Sequence, residues 1–365
     1  MRILFSPIPQ LSDKYFYWID FSRMIAALSV VIWHYQHLFY FTGSEGVKYI
    51  GNLNRDIQPF YNFLEFFYHY GGAGVSFFWV ISGFVFSSVY YQKQVTGRRF
   101  FQSRFARLYP LHFLTLIIIL LLQTLSTFLH SENQVYSLND AYHFLLNIFF
   151  ISSWGFEDGY SYNGPIWSVS VEILIYVTFF ITIKKLFSMG ILLPLMISGM
   201  FFLFDVLNFP GNQYIYQCGF YFFNGTALFF LYNLIVSNNR PIFFPLLLIF
   251  IISIGYLVCN QLSMNHLIYI APTLVIFFAY LDFLDINIGK KIAFFGDLSY
   301  GIYLWHVPLQ IVLILGLKNY MVDQRIAILT NELFFLTFFI LLIFIANIGF
   351  YFFEKPMRRY INKLQ

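Results

Sequence analysis

The feature that most constrains this chain is a series of apolar segments that occupies most of its 365 residues. A membrane-spanning helix needs about 20 mostly apolar residues. Ten segments meet that description, with approximate bounds 18–41, 71–91, 108–129, 165–186, 189–206, 214–236, 241–259, 266–283, 294–316 and 328–353. A further apolar stretch, 142–152, has about half the length of a span, so we interpret it as re-entrant or interfacial.

Composition excludes most other fold classes. Charged residues make up only 10% of the chain, and the mean hydropathy is +0.69. Soluble globular proteins carry roughly a quarter charged residues, so this chain cannot cover a water-exposed surface. A cytosolic domain, a coiled coil and a disordered chain are therefore excluded. We predict an all-α fold, a polytopic membrane bundle of about ten transmembrane helices that forms a single domain over residues 1–365.

Positive charge predicts the orientation of this bundle. If the N-terminus is cytoplasmic, the inside segments hold 16 of the 21 Lys and Arg residues, the outside segments hold 4, and Arg23 lies within a span. A short N-terminal segment, 1–14, and a C-terminal tail, 354–365, are then both cytoplasmic. This topology explains the net charge of +4, so we expect no nucleic-acid partner. Cys218 and Cys259 lie in different segments without a Cys/His cluster, and we expect no metal site.

The first span carries two widely spaced ionisable residues, and such residues are costly in a membrane and mark functional sites. Arg23 and His34 are eleven residues apart, which places them on one helix face about 16 Å apart along the axis. Asp20 lies three residues before Arg23, within pairing distance. The alternative interpretation is a structural Asp–Arg pair and a hydrogen-bonded histidine in a helix interface.

The fourth span carries a glutamate near its outer end. Glu172 is predicted to lie about 10 Å below the outer surface, on the same helix face as Ser168. His34 is predicted at a similar depth. A carboxylate there could orient an imidazole that acts as a general base. A structural ion pair is an equally good interpretation.

Two further spans contain unusual residues. Ser82 and Gly83 follow a glycine-rich stretch in the second span, and small residues of this kind permit close helix packing. Packing is therefore the simpler interpretation of that motif. The ninth span is too polar for a lipid-facing wall, because it carries Asp297, Ser299, Tyr300, Tyr303, His306 and a helix-kinking Pro308.

A basic cluster lies before the third span. It consists of Arg98, Arg99, Arg104 and Arg107, followed by Tyr109-Pro110. Positive-inside topology alone explains such a cluster. The sharper interpretation is a site for a phosphate-rich ligand, because guanidinium groups bind phosphate in bidentate geometry.

Taken together, these motifs resemble the acyltransferase-3 family of membrane acyltransferases. They occur in family order over nearly the whole chain, from Tyr17 to Arg359. The motifs are Arg23 with ten residues before His34, Ser82-Gly83-Phe84, Arg104 and Arg107 before Tyr109-Pro110, Trp167-Ser168-Val-Ser170-Val-Glu172, Ser299-Tyr300-Gly-Ile-Tyr303-Leu-Trp-His306-Val-Pro308, and Glu354-Lys-Pro356.

The chain departs from the family pattern at two places. The family's usual Asp-Gly-Leu-Arg-Gly is Asp20-Phe-Ser-Arg23-Met24 here, which puts the flexibility around Arg23 in doubt. The two glutamates that usually end the tryptophan-serine motif are Glu172-Ile173, which leaves a single candidate carboxylate.

The resemblance implies a multi-pass enzyme of the bacterial inner membrane. It would take an acyl group from cytoplasmic acetyl-CoA and deliver it to a hydroxyl of a surface polysaccharide or a lipid-linked glycan on the outer side. Acetyl-CoA and the glycan are substrates, membrane lipid surrounds the bundle, and no bound cofactor is expected. Lipid, small-molecule or peptide acceptors remain alternatives. The rival from another class is a transporter of polysaccharide intermediates, although the chain has no internal repeat.

The resemblance also implies roles for individual residues. His34 would act as general base or as an acyl-bearing nucleophile, and Glu172 would orient either His34 or the acceptor. The pantetheine arm would run along the face that joins Arg23 to His34. The other candidate substrate-binding residues are Arg104, Arg107 and Tyr109 for CoA, Ser168, Ser170 and Tyr300 as donors to the oxyanion, and Ser82, Trp167 and His306.

Overall fold

A computed structural model describes residues 15–43, 46–49, 55–91, 93–238, 240–286 and 288–364. The predicted cytoplasmic segment 1–14 lies outside the described residues. The helices are α1 Tyr17–His34, α2 Tyr61–Tyr70, α3 Gly74–Tyr90, α4 Gly97–His130, α5 Ala141–Ile148, α6 Trp167–Met189, α7 Leu192–Val206, α8 Gln213–Ser237, α9 Phe243–Leu262, α10 Leu267–Phe283, α11 Ile288–Ile292, α12 Phe294–Leu317, α13 Val322–Leu329, α14 Glu332–Gly349 and α15 Lys355–Lys363. Strands β1 Tyr40–Gly43 and β2 Gly46–Tyr49 pair antiparallel, with Tyr40 opposite Tyr49.

The helical membrane fold is confirmed. In the part of the chain that the structure describes, seven helical segments are long and apolar enough to cross a membrane. They are Tyr61–Tyr90, Gly97–His130, Gly164–Met189, Gln213–Ser237, Phe243–Leu262, Ile288–Leu317 and Glu332–Lys363. The shorter apolar helices α7 and α10 coincide with two of the other predicted spans, and the 18-residue α1 overlaps the first part of the third, 18–41. The cytoplasmic placement of both termini stays a prediction.

Local sequence explains where several helices begin and end. The side chains of Asn212 and Asn331 accept hydrogen bonds from the first backbone N–H groups of α8 and α14, as N-cap residues do. Gly190 adopts the left-handed region (φ 62°) directly after α6, which ends that helix and separates it from α7. The half-length apolar stretch forms α5, which has only 8 residues and is therefore too short to span.

The chain divides into two compact units, each built from separate stretches. The first unit contains the chain up to Ala26 together with Ala73–Gly97 and Val171–Asp297. The second contains Ala27–Gly72, Arg98–Ser170 and the chain from Leu298 onward. The prediction of a single domain stays a prediction.

The first unit depends on close packing of α3 against α8. A Cβ atom added at Gly83 would lie 1.7 Å from the carbonyl oxygen of Phe222, and one added at Gly225 would lie 1.9 Å from that of Val80. Only glycine permits this separation, so the packing interpretation of the Ser82-Gly83 motif is confirmed at Gly83.

The N-terminus of α1 is held within the same unit by the buried Asp282 of α10. The carboxylate of Asp282 accepts hydrogen bonds from the backbone N–H groups of Trp18 and Ile19, at 3.0 and 3.2 Å. A helix begins with unsatisfied N–H groups and a positive dipole end, and a carboxylate stabilises both. The start of α1 is therefore fixed by a side chain more than 260 residues away in sequence.

Candidate active site

Three histidines form a buried cluster in the second unit. His34 ends α1, His37 lies in the 3₁₀ turn Tyr35–Phe39 that follows, and His306 lies on α12. His34 Nδ1 lies 2.9 Å from His306 Nε2, with the ring planes nearly parallel at 13°. The His37 ring stacks on that of His34 with ring centroids 4.5 Å apart, three residues further along the chain, where α1 passes into the 3₁₀ turn. Among the described residues, no group of three or more His, Cys, Asp and Glu side chains is arranged to hold a metal ion.

A chain of hydrogen bonds defines the proton positions on two of these rings. His306 Nδ1 lies 2.8 Å from the carbonyl oxygen of Tyr303, and a carbonyl can only accept. In neutral rings, His306 Nδ1 therefore carries the proton, and its Nε2 accepts from His34 Nδ1–H. The lone pair of His34 is thereby left on Nε2. This arrangement suits a general base, with His306 in the orienting position that a carboxylate takes in a Ser-His-Asp triad.

Gln310 joins the cluster one helical turn beyond His306. Its Oε1 lies 3.2 Å from His37 Nδ1, and its Nε2 donates to the backbone carbonyl of His34 at 2.8 Å. The last carbonyls of a helix lack intrahelical donors, so Gln310 supplies one at the end of α1. One amide side chain thus fixes both the backbone of His34 and the ring of His37.

The proline of α12 creates a second anchoring contact. Pro308 has no backbone N–H, so the carbonyl of Leu304 loses its normal helical donor. The buried Asn163 supplies the replacement, because its Nδ2 donates to the Leu304 carbonyl at 3.1 Å and to Thr115 Oγ1 at 3.3 Å. The loop before α6 is thereby tied to the helix turn that carries His306.

The three predicted oxyanion donors make structural hydrogen bonds. Ser170 Oγ donates to the Phe150 carbonyl at 2.8 Å, and Tyr300 Oη donates to the Leu108 carbonyl at 2.7 Å. Ser168 Oγ lies 3.1 Å from the Pro165 carbonyl and 2.8 Å from Tyr303 Oη. A hydroxyl has a single proton to donate, so an oxyanion role for any of them requires that bond to be exchanged. That role stays a prediction.

The two other charged residues predicted near the reaction belong to the first unit. Glu172 is buried on α6. Both roles predicted for Glu172, orientation of His34 or orientation of the acceptor, stay predictions. Arg23 makes the predicted pair with Asp20, at 3.5 Å between Nη1 and Oδ1, so that pairing is confirmed. The conduit from Arg23 to His34 stays a prediction.

The predicted CoA residues lie along the first half of α4. Arg98 and Arg99 are exposed, whereas Arg104 and Arg107 are half-buried. Arg98 Nη2 donates to the carbonyl of Leu364, and Gln102 Nε2 donates to that of Ile361 at 2.6 Å. The first turns of α4 therefore hold the end of the basic helix α15.

The remaining predicted substrate residues lie in three places. The Tyr109 ring stacks between those of Phe105 and Phe113 along α4, with ring centroids 4.6 and 5.9 Å away. Ser82 is half-buried on α3 of the first unit. Trp167 is half-buried at the first residue of α6. Substrate contact by these residues stays a prediction.

Three residues in or around the histidine cluster are not among the predicted site residues. His37 and Gln310 carry a signal that sequence could have supplied, because each lies three or four residues from a predicted site histidine and therefore on the same helix face. The signal for Asn163 is indirect. Pro308 predicts that the carbonyl of Leu304 lacks its helical donor, but it does not indicate which side chain supplies a replacement.

Comparison with known proteins identifies the family. The family model Acyl_transf_3, described as an acyltransferase domain, matches residues 16–353. No curated protein and no solved structure matches the chain. The matched range covers nearly the whole chain and contains all three histidines of the cluster. The chain therefore belongs to the acyltransferase-3 family and is a multi-pass helical membrane acyltransferase.

Proposed function

We propose that this acyltransferase transfers an acetyl group from cytoplasmic acetyl-CoA to a hydroxyl of an extracytoplasmic polysaccharide or lipid-linked glycan, in the bacterial inner membrane. The observation that supports the proposal is the hydrogen-bond chain from the Tyr303 carbonyl through His306 to His34, which in neutral rings leaves the lone pair of His34 on Nε2. A buried, oriented imidazole is the group that acyl transfer to an alcohol requires, because the hydroxyl must lose its proton as it attacks.

The donor side of the proposal depends on the basic face of α4. CoA carries several phosphates, which cannot enter hydrocarbon and are bound best by guanidinium groups. Arg104 and Arg107 are three residues apart on one face and half-buried, and four further basic residues lie on α15, whose end contacts the start of α4. The phosphates would bind there while the thioester reaches into the bundle.

In the proposed chemical step, His34 accepts one proton and later returns it. The acceptor oxygen attacks the thioester carbonyl while its proton moves to His34 Nε2. The tetrahedral intermediate then collapses, the carbon–sulfur bond breaks, and the proton passes from His34 to the departing thiolate. The products are an O-acyl ester and free CoA thiol, and His34 regains its starting tautomer.

An acyl-histidine route differs in one step. His34 Nε2 would attack the thioester itself and carry the acyl group until the hydroxyl displaces it. The release of free CoA in the first turnover after mixing with acetyl-CoA, without acceptor, separates the routes. A stoichiometric burst of CoA from the wild-type protein but not from His34→Ala supports the intermediate, and no burst from either supports direct transfer.

The test of the proposed function is transfer of label from radiolabelled acetyl-CoA to a glycan by purified protein in lipid nanodiscs. We expect His34→Ala to reduce the rate by about 10²- to 10⁴-fold, the usual contribution of a general base. His130→Ala, at the end of α4 and outside the cluster, is the matched control. A His34→Ala protein that elutes as a monodisperse species and retains full activity would refute the assignment.

The same assay distinguishes the alternatives. Label that reaches lipid or a small-molecule hydroxyl, but no glycan, keeps the chemistry and changes the acceptor. If the protein moves a labelled glycan intermediate across the membrane of proteoliposomes and transfers no acetyl group, it is a transporter of polysaccharide intermediates and not an acyltransferase.

A further inference from the structure

A row of aromatic rings leads away from the histidine cluster within the second unit. The His37 ring contacts the Tyr136 ring edge to face, with centroids 5.7 Å apart. The Tyr136 ring in turn lies next to that of Tyr160, with centroids 6.2 Å apart, and the Tyr160 ring lies next to that of Trp167, with centroids 6.5 Å apart. Tyr136 and Tyr160 lie in the segment between α4 and α6, and Trp167 begins α6. We call Tyr136, Tyr160 and Trp167 the aromatic row.

Exposure changes along this row. His37 is buried, Tyr136 and Trp167 are half-buried, and Tyr160 is 44% exposed. The row therefore connects the buried base to the surface of the unit through rings that retain accessible area. Tyr and Trp present a rigid apolar face with a polar end, which suits a partner that is apolar on one side and hydrated on the other.

The tyrosine nearest the histidines is held by a close backbone contact. A Cβ atom added at Gly164 would lie 2.3 Å from the Tyr136 ring, so the ring rests directly on the chain just before α6. Only a residue without a side chain allows this contact. The orientation of Tyr136 is thus fixed by the same short segment that contains Asn163 and leads into Trp167.

The segment that carries the row is itself tightly held. The Asn139 side chain accepts from the backbone N–H of Tyr162 at 2.6 Å, and Tyr162 Oη donates to the Asp140 carbonyl at 2.9 Å. Asp140 caps α5, and hydrogen bonds from the backbone N–H and the ring of His143 lower the pKa of its carboxyl group. The rings are therefore presented by an ordered surface that loses little entropy when a ligand binds.

The charge of the segment restricts the ligand. Residues 131–166 contain Glu132, Asp140, Glu157 and Asp158 but no Lys or Arg. Glu132 forms an ion pair with Lys318, and the Asp140 carboxylate is hydrogen-bonded to His143. Glu157 and Asp158 add negative charge two and three residues before Tyr160, the exposed ring of the row. An anionic sugar would meet repulsion there, whereas a neutral sugar ring would not.

We propose that the aromatic row is the binding site for the acceptor and that the acceptor unit it takes is an uncharged pyranose. The apolar C–H face of the sugar stacks on the rings, its hydroxyls remain hydrated or bond to Tyr Oη, and the hydroxyl nearest His37 reaches His34 Nε2. This inference rests on the proposed function, since it names the acceptor class for the same transfer.

The experiment measures acetyl transfer while the acceptor and acetyl-CoA concentrations are varied separately. Loss of one stacking contact is worth about 0.5–1.5 kcal/mol, so Tyr160→Ala should raise the acceptor KM about two- to thirteenfold. The KM for acetyl-CoA should change by less than about twofold, because it depends on other residues. Tyr160→Phe keeps the ring and should restore the acceptor KM, and Tyr320→Ala, an exposed tyrosine outside the row, is the matched control.

Several outcomes would overturn the inference. An unchanged acceptor KM in Tyr160→Ala, an equal rise in both KM values, or a Tyr160→Phe variant as defective as Tyr160→Ala each contradict stacking. A uronic-acid oligosaccharide used as well as a neutral hexose oligosaccharide of equal length contradicts the uncharged acceptor. Wild-type protein that transfers no label to any glycan overturns the proposed function as well, which separates that failure from failure of the row alone.

Discussion

Replacement of His306 tests whether its imidazole orients His34, the proposed base, through the hydrogen bond to His34 Nδ1. In His306→Leu the Nδ1–H of His34 loses the acceptor that lies 2.9 Å away in a fully buried position. A buried donor left unsatisfied costs about 1–3 kcal/mol. This cost falls on the Nδ1–H tautomer alone, so the Nε2–H tautomer, which cannot act as the base, becomes favoured by the same energy and kcat falls about 5- to 150-fold.

Two measurements separate this effect from simple misfolding. The rate of acetyl transfer at saturating substrates gives kcat, and 15N NMR of histidine-labelled protein in nanodiscs reports which ring nitrogen of His34 is protonated. His306→Gln places an amide oxygen near the lost nitrogen, so it should recover part of the rate and the Nδ1–H tautomer. Wild-type kcat in His306→Leu, or an unaltered His34 tautomer while kcat falls, would contradict the orienting role of His306.

Three further predictions concern the donor site and the fold. Arg107→Ala should raise the KM for acetyl-CoA more than that for the acceptor, since one charged hydrogen bond is worth about 1.5–3 kcal/mol; an unaltered acetyl-CoA KM would remove the phosphate role. Asn163→Leu should lower the free energy of unfolding by about 1–3 kcal/mol, measured by thermal melting, because the Leu304 carbonyl loses its replacement donor; an unshifted midpoint would contradict this. Gly83→Ala should be destabilised by at least about 1–3 kcal/mol, because the new Cβ atom would lie 1.7 Å from a backbone oxygen of α8. Gly199→Ala, where nothing lies within 4 Å, should melt like wild type.

The helical segments could be predicted from sequence because hydropathy and length alone determine them. Their ends were less predictable. The first span was predicted to continue to residue 41, but α1 ends at His34 and a 3₁₀ turn follows. The residues of that turn are apolar enough to continue a helix, and the break depends on contacts from α12 that lie about 270 residues away in sequence.

The site could be predicted only in part. His34 and His306 were identified separately, because a histidine inside a span is unusual wherever it occurs. The hydrogen bond between them depends on how α1 packs against α12, and the periodicity of apolar residues in the sequence does not determine that packing. The carboxylate at Glu172 was a reasonable candidate for the orienting group on depth alone. The structure places the ring of His306 within hydrogen-bonding distance of His34 Nδ1.

An orienting imidazole has an electrostatic consequence that an orienting carboxylate would not have. A carboxylate would leave a permanent negative ion in hydrocarbon surroundings and would stabilise the cation formed when His34 gains a proton. If both rings rest in their neutral forms, which their hydrogen bond allows, the dyad bears no formal charge. The imidazolium formed on His34 then receives less stabilisation from His306 than a carboxylate would give. The lifetime of this imidazolium should therefore be short, which favours transfer of its proton to the sulfur of CoA as the carbon–sulfur bond breaks.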